Sequence, residues 1–539
     1  MRAVALLLAA QARRDRWVLS IWILGIGVLG LAVGGAISSQ FADESERASI
    51  VALAAANPAF LFLRGLPDGL SVGAVAFFQA FSFMAVLAGL MSTFLVVRHS
   101  RADEELGRAE LLGSTPMRRS AELTATLLLG VIANALLCVV VAAGFIAGGM
   151  PIGGSIVAAL AVGSVGLFFV GVAALVAQAL PSGRGANGVA AALVGGAYLV
   201  RGIGDALGTP NTDLTHVTPN WLSWLSPIGW GQATRPFSEP TLTPLLLALA
   251  AFVVLAAMAL VLRSRRDLGS SLVPERAGSA RARLGGRSAL GLAWRLQRAT
   301  LVGWCVGVAV LGSIAGGLGP VIAEAVAGNA SLSNLIASLV PGTQADVVDI
   351  FTAALLGIAG VLAGAAGVQA VLRLRSEEAE GRAELLLATP LSRARWVGAT
   401  LMVATVSVLA VCVVVGAVTG VAIAKSNGDS FEVARFTGAA LAHAPAALVF
   451  VALTALVFAL APRLTIPLGW GLLVLGLVIG QFGNLLQLPE WLQDVSPFHH
   501  SSAVPVENLN VTAALILIGI ASVGALLASL AVRRRDLAS

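Results

Sequence analysis

Long apolar stretches separated by short polar segments recur along the whole chain. Each stretch is long enough, at 1.5 Å per residue, for a helix to cross the roughly 30 Å hydrocarbon core of a bilayer. Because lipid offers no partner for free backbone groups, these stretches are predicted to be helices. The twelve predicted spans cover residues 17–37, 71–97, 121–147, 153–180, 187–207, 243–263, 301–323, 350–372, 397–424, 434–461, 467–487 and 511–532. The predicted fold is therefore an all-α polytopic membrane protein.

The composition excludes a water-soluble globule and a disordered chain. The 539 residues are 58% hydrophobic and only 12% charged, whereas soluble domains carry about 25% charged residues. The three cysteines, Cys138, Cys305 and Cys412, lie in separate apolar stretches. They are read as small buried hydrophobic residues, so neither a disulfide framework nor a metal site is expected.

The charges are distributed unevenly between the two sides of the predicted membrane domain. Of the 34 basic residues only Lys425 is lysine, and 28 of the 33 arginines fall on the side that carries both chain termini. Basic residues accumulate on the cytoplasmic side of membrane proteins, so both termini are predicted to be cytoplasmic. The basic excess therefore reflects topology, and no nucleic-acid partner is expected. The preference for arginine over lysine suggests a GC-rich genome and hence a bacterial plasma membrane.

The two halves of the sequence carry the same motifs in the same order. The motif GRAELL occupies 107–112 and 381–386, and Thr115-Pro116 and Thr389-Pro390 follow it. Matching pairs also occur before and after the sixth and twelfth spans: Trp221-Leu222 with Trp491-Leu492, Ser226-Pro227 with Ser496-Pro497, and Arg265–Leu268 with Arg534–Leu537. These matches predict a tandem duplication of a six-helix unit, with halves 1–263 and 288–539 joined by a linker at 264–287. An even number of spans keeps the two repeats parallel.

Each GRAELL segment is predicted to be a short amphipathic helix on the terminal side. Glu104 with Arg108, and Glu378 with Arg382, are spaced at i, i+4, which favours helical ion pairs. One interpretation is a helix resting on lipid headgroups; the other is a docking helix for a cytoplasmic subunit. Near-identical side chains in both halves favour two copies of one partner. The candidate docking residues are Glu104, Glu105, Gly107, Arg108, Glu110, Thr115, Pro116, Glu378, Gly381, Arg382, Glu384, Thr389 and Pro390.

This layout resembles the permease subunit of an ABC-2-type exporter, in the duplicated form found among bacterial polyketide-antibiotic and multidrug efflux systems. The resemblance implies a specific part for each segment. Amphipathic elbows would lie at 1–16 and 288–300, coupling helices at 103–116 and 377–390, and re-entrant outer loops at 208–242 and 488–510. It also implies two copies of a separate ATPase subunit that bind ATP and Mg, and export of a hydrophobic small molecule such as an antibiotic or drug. A lipid or glycolipid cargo remains an alternative.

The chain is not expected to hydrolyse ATP itself. A Walker A loop needs Gly-Lys-Ser/Thr, and the only lysine, Lys425, follows Ala424 in an outer loop. No catalytic residue and no cofactor of this chain is therefore predicted. The main rival is an ion-coupled secondary transporter, which usually carries carboxylates or histidines near mid-membrane. His443 is the deepest such residue, and we interpret it as a packed histidine, with a cavity or proton role as the alternative.

Several polar and aromatic residues are candidates for a substrate path or gate. Arg201 and Asp205 are spaced to pair near the outer end of the fifth span, either as a structural pair or as an outer gate. In the second half, the same region carries Gln481 and Asn484. The cluster Phe77, Phe78 and Phe81 predicts core or lipid packing, or else an adaptable apolar wall for cargo. Asn134 predicts a contact between helices, with a cargo contact as the alternative.

Overall fold

The computed structural model describes residues 2–41, 43–56, 58–113, 117–267, 269–273, 288–327, 347–482 and 489–535. Twelve of its helices are long and apolar enough to cross a bilayer, which confirms the predicted all-α membrane class. Within these ranges the only sheet is a small antiparallel hairpin formed by Thr209–Pro210 and Val217–Thr218. The chain divides into two compact units, residues 1–277 and 278–539.

The first unit contains six spans and several short helices. The spans are Arg2–Gln40, Val72–Arg98, Ala121–Ala147, Ile152–Ala179, Gly183–Ala206 and Thr243–Arg265. Two short helices, Glu44–Ala56 and Pro58–Arg64, follow the first span, and two more, Arg101–Glu105 and Arg108–Gly113, follow the second. The loop before the sixth span holds the hairpin, a 3-10 turn at Trp221–Leu225 and a helix at Pro227–Gln232. We call the end where the first span begins and the sixth ends the terminal end, and the other end the opposite end.

The second unit also contains six spans. Its spans are Ala289–Ala327, Val347–Ala379, Arg393–Asn427, a broken tenth span, Thr465–Phe482 and Val511–Arg534. The tenth span is broken into Phe431–Leu441 and Ala444–Leu460. The break lies before Pro445, because a proline has no backbone N–H to donate to the preceding turn of a helix. The short elements are Arg382–Leu387, Pro462–Leu464 and Glu490–Gln493. The terminal and opposite ends of this unit are defined in the same way.

The elbows at 1–16 and 288–300 are not separate helices. Arg2–Gln40 runs without a break from the elbow region into the first span, and Ala289–Ala327 does the same in the second unit. No proline or glycine occurs between residues 2 and 24 to interrupt the first of these helices. Its 39 residues correspond to about 58 Å, almost twice the thickness of a bilayer core. Its N-terminal part therefore extends beyond the membrane-crossing part.

Equivalent spans pack against each other in the two units. The first span packs on the third, the second on the fourth, and the fourth on the sixth; the seventh, eighth and tenth spans pack correspondingly on the ninth, tenth and twelfth. Glycines allow the closest approaches. A Cβ on Gly144 would lie 2.4 Å from the Gly27 carbonyl oxygen, and one on Gly316 would lie 2.6 Å from that of Thr419. Such small-residue contacts are typical of helix packing in membranes.

The duplicated Ser-Pro motifs fasten the loops of the opposite end to the fifth and eleventh spans. The Ser226 hydroxyl donates to the carbonyl of Ala197 at 2.8 Å, and the Ser496 hydroxyl donates to that of Gly476 at 2.8 Å. Each serine also accepts a hydrogen bond from the backbone N–H two residues later. The two loops are therefore anchored by the same contact, although 208–242 is longer and carries the hairpin. Their expected re-entrant position in the bilayer stays a prediction.

Candidate functional site

Each GRAELL segment is a broken helix rather than the single helix that its pattern predicts. In the first unit, Arg101–Glu105 ends before Gly107, and a new helix begins at Arg108. In the second, the eighth span continues to Ala379, and a new helix begins after Gly381. Gly107 and Gly381 have φ angles of 70° and 72°, the left-handed region that glycine adopts without a Cβ penalty. Thr115 and Pro116 lie outside the described residues, whereas Thr389 and Pro390 are exposed.

The carboxylate of Glu104 is buried among arginines. The side chain of Glu104 is 4% exposed and lies 2.8 Å from Arg101, 2.9 Å from Arg263 and 2.5 Å from Arg266. We call these four residues the Glu104 cluster. Arg101 additionally donates to the backbone carbonyls of Pro181 and Ser270, in the turns before the fifth span and after the sixth. The cluster therefore joins the second span, the sixth span and the start of the predicted linker.

The second unit has an equivalent cluster around Glu378. Its side chain is 2% exposed and forms ion pairs with Arg535, just after the twelfth span, and with Arg375 at 4.0 Å. These three residues form the Glu378 cluster. Arg535 also donates to the carbonyl of Phe458 at 2.6 Å. The repeated GRAELL and Arg-Arg-Asp-Leu sequences thus meet inside each unit. Their shared chemistry is a buried carboxylate of the GRAELL region held by an arginine from the end of the last span.

The expected Glu104–Arg108 pair is absent, because Arg108 turns to a different carboxylate. Arg108 lies 2.8 Å from Asp103, and the equivalent Arg382 lies 2.9 Å from Glu377. Hydrogen bonding to Glu377 raises the pKa of the Arg382 guanidinium. Burial instead lowers the pKa of Arg266, and Glu104 opposes that shift. Glu104 and Glu378 therefore position the GRAELL segments from inside and are not exposed contact residues.

The outward faces of the two segments carry matching exposed residues. Leu111 and Leu385 are both 75% exposed. Glu110 and Glu384, the preceding residues, are exposed as well, and so is Glu105. Ala109 and Ala383 are buried and pack each short helix onto its unit. Each segment thus presents a leucine and a carboxylate from a helix that is fixed underneath.

Sequence reasoning missed a buried histidine beside the first GRAELL segment. His99 is fully buried, with Nε2 3.0 Å from a carboxylate oxygen of Asp15 and Nδ1 3.7 Å from one of Asp103. Arg14 lies 2.9 Å from Asp103, so the N-terminal helix is attached to the segment. The repeat offset pairs His99 with Arg373, which lies 3.3 Å from Glu377. A histidine in one half at the position of an arginine in the other half is the sequence signal that could have indicated a residue in an ion pair.

Arg201 and Asp205 form the pair that their spacing predicts, at 3.1 Å, and both side chains are fully buried. Asp205 also accepts hydrogen bonds from Ser223 at 2.6 Å and from Gln232 at 3.1 Å. Arg201 donates to the backbone carbonyl of Phe62 at 2.9 Å. We call Arg201, Asp205, Ser223 and Gln232 the outer clamp. It fastens the short helix Pro58–Arg64 and the loop before the sixth span to the fifth span.

A second polar group at the opposite end was not foreseen from the sequence. Asp68 accepts hydrogen bonds from Arg235 at 2.8 Å, from the His216 ring at 2.7 Å, and from Ser238. Burial alone would raise the pKa of Asp68, but the hydrogen bonds from Arg235 and Ser238 outweigh it and lower the pKa. Its partners lie far away in the sequence, so spacing could not reveal them. We call Asp68, His216, Arg235 and Ser238 the Asp68 group.

The other residues proposed for a substrate path lie in packed surroundings. Phe77, Phe78 and Phe81 are 7%, 4% and 1% exposed, and the rings of Phe77 and Phe81 stack with centroids 4.6 Å apart. Asn134 donates to the Ser92 hydroxyl at 3.0 Å, which joins the third span to the second. These contacts are those of a helix core. A role in the cargo path stays a prediction for these residues.

His443 lies at the break in the tenth span, and its ring is packed. Its Nδ1 is 2.6 Å from the hydroxyl of Ser501, and a Cβ on Gly360 would lie 2.5 Å from the histidine Cβ. The buried Nε2 has no hydrogen-bond partner among the described residues. Gln481 is in the last turn of the eleventh span, Thr465–Phe482, and Asn484 lies outside the described residues.

Known proteins resemble this chain along nearly its whole length. The sequence profile of a family described as multidrug efflux system permease Rv1217c, C-terminal domain, matches residues 5–262 and 287–533. The multidrug efflux system permease protein Rv1217c of Mycobacterium tuberculosis H37Rv is 34% identical over 537 residues, which cover 98% of this chain and 94% of that relative. The family match spans both GRAELL segments, Glu104, Glu378 and the outer clamp.

Proposed function

The chain belongs to the multidrug efflux system permease family of Rv1217c, and we propose that it is the membrane-spanning permease subunit of an ATP-driven efflux system. Its cargo would be a hydrophobic, antibiotic- or drug-like small molecule. The name of the relative supports the efflux role, and the weakly polar, helical architecture suits an apolar cargo. The ABC-2 type, with two repeats of one six-helix unit, belongs to the same proposal.

The observation that carries this proposal is the paired construction of the two GRAELL segments. Each is a short helix that follows a left-handed glycine, exposes a leucine and a carboxylate, and is fixed by a buried glutamate. A helix that only rested on lipid would not need a buried glutamate that is paired with two or three arginines. Two matching surfaces on one chain suit two copies of one partner. We assign that partner as an ATPase subunit, which would supply the ATP and Mg chemistry.

The clusters suggest how the partner's movement would reach the membrane. Glu104 links the first segment to Arg263 and Arg266 at the end of the sixth span. Glu378 makes the same link to Arg535 after the twelfth span. Because these side chains are packed and paired, displacement of a segment would move the attached span ends. Rocking of the spans would then alternate the access to the cargo path.

The proposed orientation places both GRAELL segments and both termini in the cytoplasm of a bacterial cell, with the protein in the plasma membrane. Support comes from the arginines, most of which lie on the terminal side. The anionic inner leaflet and the cytosolic ATPase would then face the same end of the molecule. Lipids and the cargo would contact the apolar spans.

Charge reversal on the exposed faces tests the proposal. In Glu110→Lys with Glu384→Lys, we expect loss of ATPase co-purification and of ATP-dependent drug uptake into inverted vesicles. Glu46 is also exposed but belongs to a helix of the opposite end, so Glu46→Lys is the matched control and should leave both unchanged. Unchanged co-purification of the double variant would contradict the docking assignment. Drug transport driven by a proton gradient without nucleotide would instead support an ion-coupled transporter.

A further inference from the structure

The loop of the opposite end in the first unit encloses a cavity of about 460 Å³. This volume falls in the range of small-molecule sites, which are about 300–1,000 Å³. Most of the cavity surface is apolar, and the carbon-rich side chains in its wall are those of Leu66, Val217, Pro219, Trp224, Ala233 and Pro244. Eight of the fifteen lining residues are polar or charged, and Asp68, His216 and Arg235 are among them. Such a combination is typical of a preformed ligand pocket.

The walls of this cavity are fixed by the two polar groups described above. The Asp68 group ties residue 68 to the loop residues 216, 235 and 238. The outer clamp holds Ser223 and Gln232, which also line the cavity. The indole N–H of Trp230 donates to the carbonyl of Trp224 at 2.6 Å and so fixes the aromatic wall. The site is therefore formed before a ligand binds, and little of the binding free energy would be lost in ordering its walls.

The backbone at the cavity edge is held in an uncommon conformation. Arg235 has a φ angle of 47°, in the left-handed region that non-glycine residues rarely adopt. Such a conformation persists only where surrounding contacts enforce it, and it is frequent at ligand sites. Here the enforcing contacts are the hydrogen bonds of Arg235 to Asp68 and Glu239.

The charges around the cavity already satisfy one another. Arg235 pairs with Asp68 at 2.8 Å and with Glu239 at 3.0 Å, and the His216 ring is bonded to Asp68. Beneath the cavity floor, Arg201 and Asp205 form the internal pair of the clamp. A charged ligand would have to compete with these pairs, and the partner that it displaced would lose its counter-charge in a partly buried position. The arrangement therefore suits an uncharged ligand.

Exposed apolar side chains lie in the cavity wall and at the start of the sixth span. Trp224, which lines the cavity, is 48% exposed, and Leu242 and Leu246 at the start of the sixth span are 55% and 65% exposed. Tryptophan is enriched where membrane proteins meet the bilayer–water interface, and exposed leucines on a span face the hydrocarbon. These exposed apolar side chains beside the cavity suit a lipophilic molecule that arrives from the membrane.

We propose that this cavity, the outer pocket, is a binding site for an uncharged, mainly apolar, drug-sized molecule. The proposal rests on the proposed function only in assigning the bound molecule to the class of the cargo. Binding itself needs neither nucleotide nor the ATPase subunit. The outer pocket would give the first unit a site on the far side of the membrane from the ATPase, where cargo leaves or is retained before release.

The test uses the full chain in lipid nanodiscs without ATPase or nucleotide. The probe is an uncharged, alkyne-tagged trifluoromethyl-phenyldiazirine, activated by light and mapped by peptide mass spectrometry. We expect saturable labelling of the peptides that contain residues 216–244, and competition by the unreactive phenyl analogue. Analogues carrying a carboxylate or a trimethylammonium group should compete at least about tenfold more weakly, which corresponds to about 1.4 kcal/mol.

Two variants that fill the cavity from different walls provide the decisive comparison. Ala233→Phe and Thr218→Trp should each remove the saturable labelling, and the second serves if the first does not fold. Ala56→Phe, at an exposed position outside the cavity, is the matched control and should leave it intact. Labelling that does not saturate, or that survives both filling variants, would overturn the proposal. Equal competition by the charged analogues would overturn the ligand class. Because no ATPase is present in this experiment, none of these results decides the test of the efflux proposal.

Discussion

The outer clamp is expected to be a structural element whose loss is costly. Arg201→Met would leave the carboxylate of Asp205, which is fully buried, without its charged partner, although Ser223 and Gln232 would still donate to it. Removing one member of a buried ion pair costs about 3–5 kcal/mol. The carbonyl of Phe62 would also lose its donor. We expect a destabilisation of this size, with faster amide exchange in the helix Pro58–Arg64.

A double variant separates the pair from its surroundings. Arg201→Met with Asp205→Asn removes both charges and keeps an acceptor oxygen for one of the two donors, Ser223 or Gln232. Because no buried charge is then left alone, we expect the double variant to recover a large part of the stability lost in Arg201→Met. Titration of the purified proteins with sodium dodecyl sulfate gives the relative free energies of unfolding. If the stability losses of Arg201→Met and Asp205→Asn add up in the double variant, or if Arg201→Met is as stable as the wild type, the structural role of the clamp is refuted. Loss of transport with unchanged stability would favour the gate interpretation of this pair.

Three further predictions concern other parts of the molecule. Gly381→Ala places a Cβ at a φ of 72° and should lower the free energy of unfolding by about 1–2 kcal/mol, measured by the same titration. Gly188→Ala, in a helix with open space around it, is the control and should not destabilise the protein. Equal effects of the two substitutions would contradict the left-handed turn. Gly166→Ala would put a Cβ 1.9 Å from the Asn134 side-chain oxygen, so a lowered unfolding temperature is expected and an unchanged one would refute this packing. The lowered pKa of Asp68 means that its contribution to stability is complete above the pKa of the unfolded carboxyl, near 4, and is lost as the pH falls through the folded value. The difference in unfolding temperature between the wild type and Asp68→Asn should therefore close in acid, and a difference independent of pH would contradict the ion pair.

The spans were predictable because hydropathy reports them directly. A stretch of some twenty apolar residues has few alternatives to a membrane helix, and the number of spans agrees with the sequence. The bounds agree approximately, except that the first and seventh helices begin earlier than predicted. The Arg201–Asp205 contact was also predictable, because four residues separate neighbours on one helix face. The glycines in the GRAELL motifs could have indicated the helix breaks, since a repeated glycine often marks a positive φ.

Contacts between distant segments could not be derived in this way. Asp68 and Arg235 are 167 residues apart, and Glu104 and Arg266 are 162 apart, so no local period relates them. The i, i+4 rule predicted that Arg108 would pair with Glu104. In the structure, the glycine turn redirects Arg108 to Asp103, and Glu104 turns inward to arginines of the sixth span. Long-range packing thus decided which carboxylates of the GRAELL segments are exposed.

The central claim is that the two GRAELL segments are matching contact sites for a cytoplasmic ATPase. The most direct test places the photoreactive residue p-benzoylphenylalanine at position 110 or 384 and irradiates cells that also produce the ATPase subunit. Both positions expose their side chains at the tips of the segments. The account predicts that each position crosslinks to the ATPase. No crosslink from either position, together with labelling of the same positions by a membrane-impermeant reagent added outside the cell, would contradict it.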